Sequence, residues 1–407
     1  MNNDKMNIIF LSRTVPDVLK ETVFKKQKGS MPSAAVVFQK KLIDGIEKNI
    51  GKSVSLFNLM PVYSYPKNYS DIFIKAESFS HNVGADDYNA GFFNLVYLKR
   101  LFLSKSYIHQ FKKYFKRKQC DTIICYSADM ILLNALKWAK KHFPQIKTCV
   151  IIPDMPEFID LSIGQSLIKR LYNKYLARQT RKMIPYVDSF VYLTEQSADY
   201  FCKDKPFTVV EGIASETPDV NDNVVETTVE KVILYTGTTN VRFGIQTLIE
   251  AFEKIESPDY RLVICGCGDY DKVITEKAKE DKRIRFYGIV PNEKIISLQK
   301  AATVLVNPRQ NVDEFTKYSF PSKNMEYLSS GVPLVAYKLD GVPEEYNDYI
   351  IYVDDNSPQS LSRALKDVCE WDETRRREFG QAAKEFVLTR KNAVVQTGKI
   401  ISLLNEI

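Results

Sequence analysis

Short runs of apolar, mostly β-branched residues alternate with helical patterns along almost the whole chain. In the first half, six runs predict strands: NIIFLSR, SVSLFNL, DTIICYS, KTCVIIP, SFVYLTE and FTVVEG. In the second half, six more do so: VILYTG, RLVICG, IRFYGI, TVLVNP, PLVAYK and IIYVD, with helices such as IQTLIEAFEKI and PQSLSRALKDV between them. Because strands that alternate with helices form parallel sheets covered by helices, the pattern predicts an α/β fold with two Rossmann-like, doubly wound sheets.

The length of 407 residues suits two domains, since one domain usually holds roughly 100 to 200 residues. We place the first domain at residues 1–212 and the second at residues 231–385, with a cleft between them. Residues 213–230 are polar and acidic and contain Pro218, which is typical of a linker and hinge. Residues 386–407 are helical, and we expect this tail to pack back on the first domain.

Composition is that of a soluble globular protein, with 44% hydrophobic and 26% charged residues. No apolar run approaches the roughly 18 residues of a membrane span, and the first residues do not resemble a signal peptide, so we predict a cytoplasmic protein. The seven cysteines form no CxxC pair and the three histidines lack ligand spacing. This pattern disfavours both a disulfide framework and a zinc enzyme.

Charge is distributed unequally between the two halves. Residues 1–212 contain 32 basic and 19 acidic residues, a net charge of +13, whereas the remainder has a net charge of −6. Two basic stretches, LVYLKRLFLSKSYIHQFKKYFKRK and SLIKRLYNKYLARQTRKMIPY, have apolar residues at helical spacing. They predict either helices lying on an anionic membrane surface or solvated helix faces, and we favour the membrane. No nucleic-acid-binding module is recognisable, so nucleic acid is not an expected partner.

In open parallel sheets, ligands bind beyond the carboxyl ends of the strands. After the strand TVLVN, a long loop connects Arg309 to a helix that we expect to begin at Pro321 and to end before Gly331. Lys323 lies in the first turn, where the helix dipole disfavours a cation unless an anion binds there too, which points to a ligand phosphate. Glu326 lies on the same face and could accept two hydroxyl hydrogen bonds, as from a ribose. The alternative is a local Lys–Glu ion pair.

Four segments of the second half resemble one enzyme family in order and spacing: YTGTTNVRFGIQTLIEAF, LVICGCGD, IRFYGIVPNEKIISLQKAATVLVNPR and YSFPSKNMEYLSSGVPLVAYKLDGVPEEY. The chain resembles retaining glycosyltransferases of the GT-B fold, in the large family numbered 4, in particular its bacterial capsule and exopolysaccharide branch. The resemblance covers residues 231–346 well and the first domain loosely. It implies a nucleotide-sugar donor and no metal or other cofactor.

The resemblance also assigns roles in donor binding. Glu326 matches the second of two family glutamates, which accepts hydrogen bonds from the ribose. The first would stand at position 318, where this chain has tyrosine. The groups that would hold the donor sugar instead are Tyr318, Ser319, the backbone at Phe320, and Ser322. Gly288 to Val290 would lie against the base.

The family's diphosphate motif is only partly present. Gly237 and Gly244 match its glycines, whereas Thr238 and Phe243 occupy the positions of its Arg and Lys. Arg242 is one residue early, so we assign the diphosphate charge to Arg309 and Lys323. Both stand with Asp154 as candidate catalytic residues.

The first domain is expected to bind the acceptor. Asp154 follows KTCVIIP, at a place where the resemblance implies a catalytic or positioning histidine followed by aspartate. It either holds the acceptor hydroxyl or caps a turn. Gly29 and Ser30, in KGSMPSAA, resemble a loop that faces the donor phosphate. The triplet Asp269-Tyr270-Asp271 resembles a metal motif, but its place at a helix start favours N-terminal capping over metal binding.

Taken together, these features predict a retaining, metal-independent glycosyltransferase that acts on a lipid-linked saccharide in envelope polysaccharide synthesis. Two alternatives remain: a nucleotide-sugar epimerase of the same fold, and a non-catalytic nucleotide-sugar-binding subunit of a polysaccharide complex. A nicotinamide dehydrogenase is disfavoured, because SRTVPDVLK after the first strand has no GxGxxG motif.

Overall fold

All twelve predicted strands are present in this computed structural model, which describes residues 6–28, 33–158, 167–217 and 230–407. Close contacts divide the chain into two units: Met1–Ile213 with Ala393–Ile407, and Ala214–Asn392. Most of the predicted linker, at residues 218–229, lies outside the described residues, as do Gly29 and Ser30. Each unit contains a mainly parallel sheet covered by helices, so the predicted fold class is confirmed.

The sheet of the first unit has eight strands in the order β10-β9-β8-β7-β1-β2-β5-β4, and all neighbours are parallel except β4 and β5. A separate antiparallel pair is formed by β3 and β6. The strands are β1 (Ile8–Ser12), β2 (Ser55–Asn58), β3 (Phe73–Ile74), β4 (Glu77–Phe79), β5 (Asp87–Asn89), β6 (Phe92–Phe93), β7 (Thr122–Tyr126), β8 (Lys147–Ile152), β9 (Ser189–Tyr192) and β10 (Phe207–Val209). The helices are α1 (Lys20–Lys26), α2 (Ser33–Ile50), α3 (Val96–Phe115), α4 (Met130–His142), α5 (Leu167–Arg181) and α6 (Glu195–Phe201).

The sheet of the second unit is parallel throughout, in the order β13-β12-β11-β14-β15-β16. Its strands are β11 (Lys231–Thr236), β12 (Tyr260–Cys265), β13 (Ile284–Gly288), β14 (Val304–Asn307), β15 (Leu334–Ala336) and β16 (Ile351–Tyr352). Its helices are α7 (Ile245–Glu253), α8 (Asp271–Glu280), α9 (Asn292–Ala301), α10 (Ser322–Ser330), α11 (Pro358–Glu370) and α12 (Glu373–Arg390). The two central strands, β11 and β14, contribute residues to both buried apolar clusters of this unit.

The last helix, α13 (Ala393–Glu406), belongs to the first unit, although the preceding helix α12 belongs to the second. It packs against α2, where Gly45 permits a close approach: a Cβ at that position would lie 2.4 Å from the carbonyl oxygen of Ala393. Asn49 donates hydrogen bonds across the same contact to Val394 O and Thr397 Oγ1, both at 2.9 Å. The predicted tail begins at residue 386, whereas the first unit takes up the chain from Ala393.

Candidate functional site

Helix α10 follows the long loop after β14 and contains both residues around which the site was predicted. Pro321 lies at the N-cap position and the helix begins at Ser322, one residue later than expected. The side chain of Pro321 makes no capping hydrogen bond to this N-terminus. Gly331 ends the helix with a φ of +81°, a left-handed conformation that favours glycine. Lys323 therefore lies in the first turn, where the N–H groups attract an anion.

Lys323 and Glu326 form an ion pair in this structure, with 2.8 Å between Lys323 Nζ and Glu326 Oε2. Their side chains are 37% and 38% exposed, so both are accessible to a ligand. An ion pair this open to solvent contributes little to stability, typically about 0 to 1 kcal/mol. The local pair proposed as the alternative thus exists, and it leaves both side chains at the surface of the second unit.

Behind this pair lies a buried chain of hydrogen bonds that the sequence analysis missed. Gln299 on α9 donates from Nε2 to Glu326 Oε1 at 2.7 Å and to Thr236 Oγ1 at 3.2 Å. Thr236, at the end of β11, in turn contacts the hydroxyl of Tyr327 on α10. Gln299 and Tyr327 are both fully buried, and burial raises the pKa of the Tyr327 hydroxyl far above its usual value.

The two arginines of the site meet at one aromatic ring. Arg309 donates from Nη2 to Ser319 Oγ at 2.9 Å, and its guanidinium lies 4.5 Å from the ring centroid of Phe315. Arg242 forms an ion pair with Asp313 at 3.1 Å and lies 4.8 Å from the same centroid. Arg242 is therefore paired with a carboxylate in this structure, as Lys323 is with Glu326. The assignment of the diphosphate to Arg309 and Lys323 stays a prediction.

A glycine brings the two arginine-bearing loops together. Gly244 has a φ of +82°, and a Cβ there would lie 1.9 Å from the carbonyl oxygen of Pro308, the residue before Arg309. Any larger residue would push the loop after β11 away from the loop after β14. In this chain, the close contact between the two loops thus explains why Gly244, which matches a glycine of the family motif, must be a glycine.

The residues expected to hold the donor sugar differ in accessibility. Tyr318 and Ser319 are half-buried and Ser322 is exposed, whereas Phe320 is buried against the ring of Tyr346. Only the backbone of Phe320 is therefore available to a ligand. Burial raises the pKa of Tyr318, with a smaller contribution from the charge of Glu314.

The turns after β11 and β13 contain the remaining candidates of this unit. Thr238 is exposed, and its carbonyl accepts a hydrogen bond from the Tyr235 hydroxyl at 2.8 Å. The N–H of Gly237 donates to Cys265 O at 2.9 Å. Gly288 has a φ of +60°, and Val290 is half-buried against the core. These residues lie at or just beyond the carboxyl edge of the second sheet.

The triplet Asp269-Tyr270-Asp271 does not cap α8 as predicted. Tyr270 occupies the N-cap position without a side-chain hydrogen bond. Asp271 accepts hydrogen bonds from Gly268 N and Thr239 Oγ1, and Asp269 accepts one from Val241 N at 3.1 Å. Both carboxylates thus hold the loop after β11 in place through hydrogen bonds. In the described part of the chain, no group of three His, Cys, Asp or Glu side chains is placed to hold a metal ion.

In the first unit, Asp154 is exposed in the bend that follows β8. The sequence analysis missed a second polar group at the ends of β1 and β7. There Arg13 forms an ion pair with Asp129, the residue that caps α4, and Gln39 fixes the Arg13 backbone through both its N–H and its carbonyl. Ser127, in the turn before α4, has a φ of +73°, an uncommon conformation that often marks functional sites.

The two basic helices of this unit place their apolar residues differently. On α3, Leu103, Tyr107 and Phe111 are buried in the core, so the apolar stripe is a packing surface. On α5, Leu171 and Tyr175 are 67% and 55% exposed. Exposed basic side chains flank them on this helix: Arg170, Lys174 and Arg178. No helix of the described residues is long and apolar enough to cross a membrane.

A protein family matches part of the second half of the chain. Residues 219–386 match the family described as "Glycosyl transferases group 1". A D-inositol 3-phosphate glycosyltransferase of Corynebacterium glutamicum is 29% identical over 189 residues, which is 43% of each chain. The O-antigen chain mannosyltransferase B of Escherichia coli is 28% identical over 42% of this chain and 45% of its own. These matches span less than half of either relative.

Solved structures resemble the chain over almost its full length. Sucrose-phosphate synthase from Thermosynechococcus elongatus aligns with a TM-score of 0.69 and 16% identity, covering 99% of both chains. The lipopolysaccharide outer core galactosyltransferase WaaB aligns with a TM-score of 0.60 and 14% identity, over 98% of this chain and 99% of its own. At such identities the likeness establishes the fold alone, which is the two-domain fold of GT-B glycosyltransferases.

Proposed function

We propose that this protein is a retaining, metal-independent glycosyltransferase of family 4, and that it belongs to the bacterial capsule and exopolysaccharide branch of that family. It would move a sugar from a nucleotide donor to a lipid-linked saccharide in capsular, exopolysaccharide or lipopolysaccharide synthesis. The observation that carries this proposal is the accessible pair of Lys323 and Glu326 on α10, within a region that matches a glycosyltransferase family. An Anabaena protein of similar fold, at a TM-score of 0.61, was crystallised with UDP.

In this proposal the donor binds at the carboxyl edge of the second sheet. Lys323 exchanges its contact with Glu326 for the diphosphate, and Arg309 adds a second positive charge. Glu326 then accepts hydrogen bonds from the two ribose hydroxyls, because an ionised carboxylate has about four acceptor positions. Gly288 to Val290 lie against the base, while Tyr318 and Ser319 face the sugar.

Catalysis requires stabilisation of the departing nucleoside diphosphate. The bond between C1 of the sugar and the β-phosphate oxygen breaks, and the acceptor hydroxyl oxygen forms the new bond to C1. The hydroxyl proton leaves with the diphosphate, so atoms and charge balance. The fixed cations Lys323 and Arg309 and the N–H groups of α10 supply the stabilisation that a metal ion provides in other transferases.

For the acceptor, we propose the carboxyl edge of the first sheet, where Asp154 is exposed after β8. The lipid part of such an acceptor would lie in the cytoplasmic membrane, and the net charge of +13 on residues 1–212 suits its anionic inner surface. Helix α5 is the favoured contact, since Leu171 and Tyr175 can enter the interface while the flanking cations meet the headgroups.

A donor panel tests the enzymatic proposal. Purified protein is incubated with nucleotide sugars and a membrane lipid extract, with and without EDTA, and released nucleoside diphosphate is measured. We expect release with one donor and little effect of EDTA. Absence of release with every donor would refute the transferase, and complete inhibition by EDTA would refute metal independence.

Sedimentation with anionic vesicles tests the membrane contact. We expect binding at low salt that weakens as salt rises, and a loss of binding in Leu171→Asp. The matched control is Phe102→Asp, because Phe102 on α3 is 58% exposed but lies on the helix whose apolar stripe is buried. Equal losses in both variants, or no binding of the unchanged protein at low salt, would contradict the assignment to α5.

A second candidate is a non-catalytic nucleotide-sugar-binding subunit. It is favoured by Tyr318 at the position of the first family glutamate and by the pairing of Arg242 with Asp313. Such a subunit would bind nucleoside diphosphates without turning over any donor, so the same panel with a parallel binding assay separates the two candidates.

A further inference from the structure

Gln299 occupies an unusual position for a polar residue on a helix. It is fully buried on α9, and both hydrogens of its amide nitrogen are used, one by Glu326 Oε1 at 2.7 Å and one by Thr236 Oγ1 at 3.2 Å. The contact with Glu326 is a hydrogen bond to a carboxylate, the stronger kind. Gln299 thus holds one oxygen of the residue that we assign to the ribose, from the side opposite to bulk solvent.

The neighbouring hydrogen bonds fix which end of the amide faces Glu326. The hydroxyl of Thr236 donates to Tyr327 Oη at 3.2 Å, and the Tyr327 hydroxyl donates to Thr236 O at 3.0 Å. The single proton of the Thr236 hydroxyl is therefore used in the bond to Tyr327, so Thr236 Oγ1 can only accept a hydrogen bond from Gln299. Rotating the amide by half a turn would set an oxygen against the carboxylate and against this acceptor, so only one orientation is compatible with the network.

This arrangement has a cost in stability that packing of the core does not explain. Gln299 Oε1 is buried and has no hydrogen-bond partner among the described residues. A buried acceptor without a partner is unfavourable, and an apolar side chain of similar size would avoid that loss. The amide is thus suited to its contact with Glu326 rather than to the stability of the core.

We propose that Gln299 is a positioning residue, which orients the Glu326 carboxylate for the ribose diol of the donor. Of the roughly four acceptor positions of this carboxylate, Gln299 uses one, and the others are open to the diol once Lys323 has moved to the diphosphate. The inference rests on the proposed function, because it presumes a nucleotide donor at Glu326. It adds a residue on α9 that never contacts the ligand.

The decisive variant is Gln299→Glu, which keeps the size of the side chain and replaces its donor by a titratable group. At low pH the new carboxyl group is protonated and can still donate to Glu326. At high pH two carboxylates would lie within hydrogen-bonding distance, and their repulsion displaces Glu326. Binding should therefore depend on pH in this variant far more than in the unchanged protein, an effect that a merely structural role would not produce.

Calorimetry measures the binding of UDP and of GDP to the unchanged protein. The nucleotide that binds more tightly is then used with each variant. The Kd of Gln299→Glu relative to the unchanged protein should stay within about threefold at about pH 5.5 and rise by about 10- to 100-fold at about pH 8.5. Because the ratio compares the two proteins at the same pH, the effect of the nucleotide's own ionisation on Kd cancels. Gln299→Leu should weaken binding by about 10- to 100-fold at both pH values, and should reduce the preference for UDP or GDP over the 2′-deoxy form.

A matched control lies on α7 of the same unit. Gln246 donates from Nε2 to Glu250 Oε1 at 2.8 Å, the same chemical pair in an exposed place. Gln246→Glu should leave the Kd and its pH dependence unchanged. Thermal unfolding of each variant checks that the fold is intact, and Gln299→Glu near pH 5.5 remains informative if Gln299→Leu does not fold.

The outcomes separate the two proposals. If the unchanged protein binds neither UDP nor GDP, the donor site and this inference fail together. If it binds one of them but Gln299→Glu shows the same pH dependence as the unchanged protein, the positioning role alone is refuted. A pH-dependent loss in Gln299→Glu with an unaffected Gln246→Glu supports it.

Discussion

The carboxyl edges of the two sheets are both polar, but their polar groups are arranged for different purposes. In the first sheet the last residues of β1, β2 and β5 are Ser12, Asn58 and Asn89, which lie side by side in register and are fully buried. In the second sheet Thr236 is likewise buried at the end of β11, but further polar groups lie beyond the strands, where Lys323 and Glu326 remain more than one third exposed.

Asn58 shows what the first arrangement achieves. Its amide oxygen accepts from Ser12 Oγ and Thr14 N, and its amide nitrogen donates to Thr14 O and Asn89 Oδ1, all within 2.9 Å. All four hydrogen-bonding positions of the Asn58 amide are thus used within the protein. At the second edge, the open faces of Lys323 and Glu326 leave hydrogen-bonding capacity available. Polarity at a strand end therefore predicts a ligand site only where solvent still reaches it.

Replacing Asn58 by alanine should have the largest effect. The change leaves several buried partners without hydrogen bonds, and we expect a loss of about 4 kcal/mol in the free energy of unfolding. Chemical denaturation measures this loss. Asn347→Ala, at an exposed position, is the control and should change stability by less than about 0.5 kcal/mol. A small loss in Asn58→Ala would mean that the first edge is not a stability network.

Replacing Glu326 by alanine should have the opposite effect, a loss of nucleotide binding with little change in stability. We expect binding of the donor nucleotide to weaken by at least about 100-fold, because two charge-assisted hydrogen bonds are lost, while the unfolding temperature changes little. Calorimetry and thermal unfolding on the same sample test both parts. The control is Glu293→Ala, an exposed glutamate on α9. Unchanged binding would remove Glu326 from the site.

Replacing Lys323 by alanine should affect turnover more than affinity. The positive charge acts mainly on the diphosphate as it departs, so we expect kcat to fall by about 10- to 100-fold and KM for the donor to change by less than about threefold. Steady-state kinetics give both values. Lys317→Ala, on the preceding turn, controls for a general loss of charge. A rise in KM at constant kcat would instead assign Lys323 to ground-state binding.

A fourth, smaller effect comes from a histidine of the first unit. Burial disfavours the charged ring of His81, but hydrogen bonds and charges of Asp87 and Glu47 outweigh burial and raise the pKa of His81 to about 9. Because this value lies above that of an unfolded chain, the contribution to stability is complete below about pH 6.5 and is lost as pH rises through about 9. We expect a loss of about 1 kcal/mol after allowing for solvent screening. Denaturation curves of the unchanged protein and His81→Gln should converge at high pH, and a constant difference would contradict this.

The sequence was sufficient for the main strands and for the position of α10. Long β-branched runs mark buried strands, and a proline and a glycine mark the two ends of α10. It was not sufficient for β3 to β6, because strands of two or three residues show no periodicity. Gln299 was missed because a polar residue in an amphipathic helix gives no sign of burial. The α3 and α5 stretches look alike in sequence, and only packing distinguishes them.

The return of α13 to the first unit has a consequence for synthesis of the chain. Ile400 and Leu404 fill the first core, and Lys147 Nζ donates to the carbonyl of Leu404 at 2.7 Å. The first unit therefore lacks one of its helices until α13 has left the ribosome, although its strands are translated first. The second unit is contiguous and emerges whole before then. We therefore expect the first unit to complete its fold after the second, the reverse of the usual order from the N-terminal domain onward.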